Sequence, residues 1–134
     1  MTTDLICLLL LALWSIPLNH APAIGRIVTA GAEWGMGNRD TQPEGLPVWV
    51  GRADRAQRNH HDNLAMIAVV ILIAQATGQA DAATATSSIV ILAARIAHGL
   101  FYIIGIGPLR SISYVVALAA MASIAWKCIS PLLG

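Results

Sequence analysis

The sequence predicts an all-α integral membrane protein, a single domain over residues 1–134 with four transmembrane helices. Of its 134 residues 57% are hydrophobic and only 11% charged, where a soluble domain carries roughly 25% charged residues. The apolar residues gather into long runs separated by segments rich in Gly, Pro and Arg, and polar residues within those runs recur at helical spacing. The spans are expected at about 4–24, 52–76, 87–106 and 109–128, with a loop at about 25–51. A formal net charge of +1 gives no reason to expect nucleic acid as a partner, and the arginines do not form a solvated basic tail.

The first span is apolar from Leu5 to Leu18 apart from Ser15, and resumes from Ala21 to Ala30 after Asn19 and His20. Asp4 is the only charge before the apolar run. With no basic residue there, the run is expected to stay in the protein rather than be cleaved as a signal peptide. Pro17 and Pro22 predict a bend near its exit end. The following stretch, residues 31–51, has loop chemistry, and Trp34 and Trp49 are side chains suited to headgroup level. A loop of this length in a small protein is more often functional than incidental, although simple packing on the membrane surface accounts for it equally well.

The second span carries the chemistry. At about 100° per residue, Arg52, Arg55, Arg58, Asn59 and Asp62 fall within an arc of roughly 120°. The uncharged run from Leu64 to Ala74 rises only about 16 Å, roughly half a hydrocarbon core. If the helix crosses a bilayer, part of its polar half lies inside, where charge is costly unless it faces other helices or water. The polar stripe is too wide for three short helices to shield, which predicts an oligomer.

Thr77 to Ser88 reads as a short turn that includes a helix start. The third span, about Ile89 to Ile106, places Arg95, His98 and Tyr102 within an arc of roughly 60°, and Gly105, Gly107 and Pro108 end it. Arg110, Ser111 and Tyr114 open the fourth span, which runs to Trp126 and Lys127. Arg26, Arg39, Arg52, Arg55 and Arg58 surround the first loop and Arg110 lies by the third, while the opposite ends carry only Lys127. By the positive-inside rule these loops are cytoplasmic and both termini periplasmic, with a bacterial inner membrane the expected location.

Polar groups from three spans therefore converge on the cytoplasmic half, with Arg95 deeper. Asp62 and Arg95 are expected to form a structural ion pair, since an unpaired charge at that depth costs at least ~2.5 kcal/mol. One carboxylate does not account for the remaining arginines, which call for an anionic partner; a lipid phosphate is the simplest. No metal site is expected, because His60 and His61 are adjacent and point apart on a helix. Gly31, Gly35 and Gly37 follow no strand, so a nucleotide-phosphate loop is unsupported. No spacing demands that Ser111 and His98 form part of a Ser-His-Asp arrangement. Cys7 and Cys128 read as two buried thiols, with a bond between them left open because both lie toward one side of the membrane.

The stretch from Arg52 to Asn63, with Arg55, Arg58, Asn59 and Asp62, resembles the signature of the membrane-associated proteins in eicosanoid and glutathione metabolism (MAPEG), Glu-Arg-x-x-Arg-Ala-His-x-Asn-x-x-Glu. Arg95-Ile-Ala-His98-Gly-Leu-Phe-Tyr102 and Arg110-Ser111-Ile-Ser-Tyr114 resemble further motifs of the family in the expected order. The similarity covers nearly the whole chain and looks most like the short bacterial branch. It implies a four-helix bundle assembled as a homotrimer, with glutathione as cosubstrate held between adjacent protomers near the cytoplasmic side. Position by position, it implies glutathione binding by Arg55, Arg58, Asn59, Asp62, His98 and Tyr102, with Arg26 the loosest match. It implies that Arg110 stabilises the glutathione thiolate while Ser111 or Tyr114 orients the sulfur, these three being the catalytic candidates. Such residues make chemical sense: a thiol of pKa ~8.5 is mostly protonated at neutral pH, and a nearby arginine favours the nucleophilic thiolate. Glutathione's carboxylates suit Arg55 and Arg58, and its ammonium suits Asp62.

This sequence departs from the pattern at Gly51 and Gln57, and at Asp62, which shortens the family's glutamate by one methylene. The function implied is a membrane-bound glutathione-dependent transferase or peroxidase that takes small lipophilic electrophiles from the surrounding membrane lipids. The alternative is a non-catalytic membrane protein of the same fold that binds lipid or serves as an accessory subunit of a larger complex. Neither the electrophile nor the role of the glycine-rich first loop is written in the sequence.

Overall fold

A computed structural model describes residues 1–133. Four long helices, α1 (Thr3–Ala30), α3 (Val48–Ala76), α4 (Ala82–Ile104) and α5 (Gly107–Ile129), pack side by side. A short α2 (Ala32–Met36) lies in the first loop, and a 3-10 turn (Ser130–Leu132) follows α5. α1 stays helical through both Pro17 and Pro22. α3 and α4 form the middle of the bundle: α1 packs on both, α5 packs on both, and among the described residues α1 and α5 do not meet.

The helix ends have local causes. Thr2 caps α1 through its side-chain oxygen, which accepts from Leu5 N. Asp81 opens α4 with a capping box: its Oδ1 accepts from Ala83 N and Thr84 N at 2.9 and 3.1 Å, while Thr84 Oγ1 accepts from Asp81 N. These bonds satisfy donors that the first turn of a helix leaves orphaned. Lys127 near the end of α5 pairs with the same Asp81, tying two helices at one end of the bundle. At the other end Gly105 stops α4 with φ 95° and ψ 28°, a left-handed conformation that glycine adopts without penalty. A Cβ there would also lie 2.2 Å from Arg52 Nη1. The close approach lets Arg52 Nη1 donate to the Ile104 carbonyl at 2.9 Å, satisfying an orphan at the α4 C-terminus.

Leu11, Ile67, Ile71, Ala74, Ile91 and Ile124 form an apolar core cluster in the half of the bundle away from the arginines, with Asp4 and Ser88 hydrogen-bonded to each other among the buried residues of that half. Toward the arginines, polar side chains join the interior: His60, Asn63, Arg95, His98 and Ser113, beside Leu18, Val50, Ala53 and Ala56. The outer surface is apolar, with Leu9, Leu13 and Ile16 on α1 and Ile112, Val115 and Leu118 on α5 all exposed. An apolar surface of this extent is foreign to a soluble monomer, and suits hydrocarbon.

Three helices, Thr3–Ala30, Ala82–Ile104 and Gly107–Leu132, are long and apolar enough to cross a membrane. α3 does not meet that standard, because its first half carries Arg52, Asp54, Arg55, Arg58 and Asp62. Together these features identify an all-helical integral membrane protein. Cys7 and Cys128 are both free thiols, the first buried and the second half-buried.

Candidate functional site

Because α3 has α1 on one flank and α4 and α5 on the other, its polar residues are sorted between two grooves. The first groove encloses about 300 Å³ and is lined by Asn59 from α3, His98 and Tyr102 from α4, and Arg110, Ser111, Tyr114 and Val115 from α5. It continues into a smaller recess where Arg55 and Arg52 join Tyr102 and Arg110. The three motifs of the sequence therefore meet in one place, and the tight Gly105–Ile106 connection is what brings the start of α5 beside the end of α4.

His98 is the hinge of the arrangement. Its ring stands edge-on to Tyr102, centroids 5.6 Å apart at 79°, and lies 5.9 Å from Tyr114. Its Nδ1 bonds the Arg110 carbonyl oxygen at 2.9 Å, so the α4 imidazole fixes the backbone of the first turn of α5. The Arg110 guanidinium stacks over Tyr102 with its carbon 4.8 Å from the ring centroid, and Arg55 approaches the same ring at 6.0 Å. Such cation–π contacts contribute about 0.5–1 kcal/mol each where exposed. Here they hold two positive charges about one phenol. Among the described residues no carboxylate pairs with Arg110 or Arg55. The groove thus presents unneutralised guanidinium charge, with the hydroxyls of Tyr102, Tyr114 and Ser111 close by. An anion, or a thiol that can become one, is the chemical complement of such a surface.

The second groove, on the α1 flank, is lined by Arg26, Asp54, Gln57 and Arg58. Arg26 is occupied: its Nη1 donates to Asp54 Oδ1 at 3.0 Å, its Nη2 pairs with Asp54 Oδ2, and its Nε donates to Gln42 Oε1 at 3.1 Å. The helix end of α1, the first loop and the start of α3 are joined through that one side chain. Gln57, which stands where the family pattern has histidine, donates to Asn19 Oδ1 at 3.0 Å.

Of the residues singled out in the sequence, Asn59, His98, Tyr102, Arg110, Ser111 and Tyr114 line one groove and Arg55 shares its recess. Arg58 and Arg26 belong to the other flank, and Asp62 is exposed and lines neither groove. The expected ion pair between Asp62 and Arg95 is corrected. Arg95 is 2% exposed and spends Nη2 on Asn59, donating to its backbone oxygen at 3.1 Å and to Oδ1 at 3.0 Å. The physical reason is rotation: the buried face of α3 runs through Ala53, Ala56, His60, Asn63 and Ile67. Asn59 borders that face, whereas Asp62 lies farther round and points out of the bundle.

Sequence reasoning missed Asp54 and Phe101, and it counted Arg52 in the polar stripe of α3 without assigning it to the site. Asp54 had a signal, being the one acid in the first turns of α3 and displaced from the arginine stripe toward the side that meets α1. The partner of Arg52 had none, because it is a backbone carbonyl of another helix.

The MAPEG family model matches residues 4–130 of the chain, nearly its whole length. No curated protein and no solved structure matches it.

Proposed function

The chain belongs to the MAPEG family, and on that premise we propose that it is a membrane-bound glutathione-dependent transferase or peroxidase acting on lipophilic electrophiles. The observation that carries this reading is the placement of Arg110 and Arg55 about Tyr102 without a protein carboxylate to neutralise them. In this reading a glutathione carboxylate meets Arg55, the sulfur lies near Arg110, and Ser111 or Tyr114 orients it by a hydrogen bond. Arg110 acts by favouring the thiolate, each tenfold in ionisation corresponding to about 1.4 kcal/mol. The exposed apolar surface of α5 beside Val115 lets the electrophile come from the bilayer.

The site works as a shared one. Arg58, Gln57 and Arg26 face the α1 flank, away from the groove that holds Arg110. Copies arranged as a homotrimer would bring the α1 flank of one against the α4–α5 flank of the next and add Arg58 of one copy to the Arg110 groove of its neighbour around one glutathione. The same assembly shields the polar half of α3, including Asp62, and makes α3 a fourth span. The arginine-rich end then faces the cytoplasm and both termini the periplasm, in a bacterial inner membrane.

A second reading is favoured by Arg26, whose pairing with Asp54 and Gln42 removes it from ligand binding: a non-catalytic bundle whose remaining arginines hold a lipid phosphate. Calorimetry of detergent-purified protein with glutathione and with S-hexylglutathione, together with turnover of 1-chloro-2,4-dinitrobenzene, separates the two. The enzyme reading expects saturable binding of both and turnover above buffer. Absence of binding, or binding without any turnover across several electrophiles, removes it.

A further inference from the structure

Behind the Arg110 groove, and sharing His98 and Asn59 with it, lies a buried polar layer. Arg95 and His60 are each 2% exposed and His98 is 4%. Arg95 and His98 are one turn apart on α4, and Arg95 bonds Asn59, the residue before His60 on α3. The hydrogen bonds from Arg95 to Asn59 bring this part of α4 against the turn of α3 that carries His60.

The partners of each ring decide where its hydrogen sits. His98 Nδ1 is 2.9 Å from the Arg110 carbonyl oxygen. A carbonyl only accepts, so Nδ1 carries the hydrogen and Nε2 of the neutral ring is a bare lone pair. His60 Nε2 is 3.1 Å from both the Leu11 carbonyl oxygen and Ser15 Oγ; the carbonyl only accepts, so we place the hydrogen on Nε2, shared with Ser15 Oγ as a second acceptor, which leaves Nδ1 bare. Both bare nitrogens are buried and find no partner among the described residues. The same is true of Arg95 Nε and Nη1, which are donors. Unmet donors and unmet acceptors therefore lie in one layer, each costing about 1–3 kcal/mol if left so.

We propose that this layer is a water-binding site, in which bound water accepts from Arg95 Nε–H and Nη1–H and donates to His98 Nε2 and His60 Nδ1. The donor and acceptor inventory selects the occupant. A small anion would satisfy the guanidinium but bring only lone pairs to the two bare nitrogens. A cation would take the imidazoles but lie against the guanidinium charge. Water both accepts and donates, so it serves both, and buried waters with two to four polar partners are an ordinary part of protein interiors. Since Asn59 and His98 also line the groove, the site joins the core of the bundle to it. The inference rests on the side chains of one chain and does not depend on what the groove binds.

The test is solid-state NMR of the full chain in lipid bilayers with ¹⁵N-labelled histidine, the four rings assigned by single His→Gln variants. The wild type should show His60 and His98 as neutral rings of opposite tautomer, hydrogen on Nε2 in the first and on Nδ1 in the second. Magnetisation should pass from water to both rings several-fold faster than to the methyls of Ile67 and Ile91 in the apolar core. Transfer to His60 as slow as to Ile91, or either ring present as imidazolium, overturns the proposal. So does a shift of either ring when chloride is replaced by bromide, which would make the occupant an anion. In Arg95→Met, transfer to His60 should fall toward the Ile91 level, and retention of the wild-type rate would remove Arg95 from the site. If that variant does not fold, the wild-type measurement decides by itself.

Discussion

The partner of Arg95 can be tested by a double-mutant cycle, because each candidate partner predicts a different pattern of additivity. Asn59→Leu removes Oδ1, one of the two acceptors that Arg95 Nη2 reaches, and leaves the backbone oxygen at 3.1 Å. A hydrogen bond to a charged group contributes about 1.5–3 kcal/mol, so this variant should be destabilised by about that amount. Arg95→Met carries opposing effects: it relieves the desolvation cost of a buried cation, and it also removes donors that organise the polar layer. The coupling is therefore the informative quantity. In Asn59→Leu with Arg95→Met the Asn59 substitution should have almost no further effect, giving a coupling close to the whole Asn59→Leu loss. Asp62 is exposed, so Asp62→Asn should change stability by less than about 0.5 kcal/mol and add independently to Arg95→Met. Cys7 is a free thiol at 3% exposure, which allows melting to be followed in detergent by a dye that fluoresces on reaction with newly exposed thiols. Strict additivity of Asn59→Leu and Arg95→Met, or a loss at Asp62→Asn that vanishes once Arg95 is absent, would refute the geometry described here.

Arg110→Ala should lower turnover of 1-chloro-2,4-dinitrobenzene by far more than it weakens glutathione binding, because stabilising the reactive anion appears in the rate while carboxylate contacts appear in affinity. Arg58→Ala should do the reverse, and an ultraviolet difference band for thiolate should accompany glutathione binding in the wild type; equal effects of the two variants on rate and affinity would count against the assignment. Gly105→Ala meets both a positive φ and the Arg52 guanidinium at 2.2 Å, so it should cost more than the ~1 kcal/mol of a simple left-handed alanine and lower the thiol-dye melting temperature; an unchanged melt would show that Arg52 does not pack there. Asp81→Ala loses the α4 capping box and the Lys127 pair and should cost about 0.5–2 kcal/mol, with Asp81→Asn recovering most of it if capping rather than charge dominates. Mass determination in mild detergent should give a trimer, and a stable helical monomer would exclude the shared site.

What the sequence determined alone was the material of the fold and which polar residues share a helix face. Long uncharged runs placed in hydrocarbon must satisfy their backbone internally, and runs of about twenty residues do so as helices rather than as the short alternating strands of a barrel. Residues three and four apart, such as Arg55, Asn59 and Asp62 or Arg95, His98 and Tyr102, had to share a helix face whatever the helix packed against. Asn59, His98 and Tyr102 stood out by this spacing, and the resemblance to the family's motifs added Arg110, Ser111 and Tyr114; all six line one groove. Periodicity gives angles within a helix and says nothing about how that helix is turned toward its neighbours. Only the tertiary structure decided that the buried face of α3 passes through Ala56, His60 and Asn63, which turned Asp62 outward and gave Arg95 to Asn59. It likewise decided that Arg26 meets Asp54, a contact between charges 28 residues apart. Partner choice between helices depends on which side chains fill the space between them, and that is a property of packing, not of any single helix.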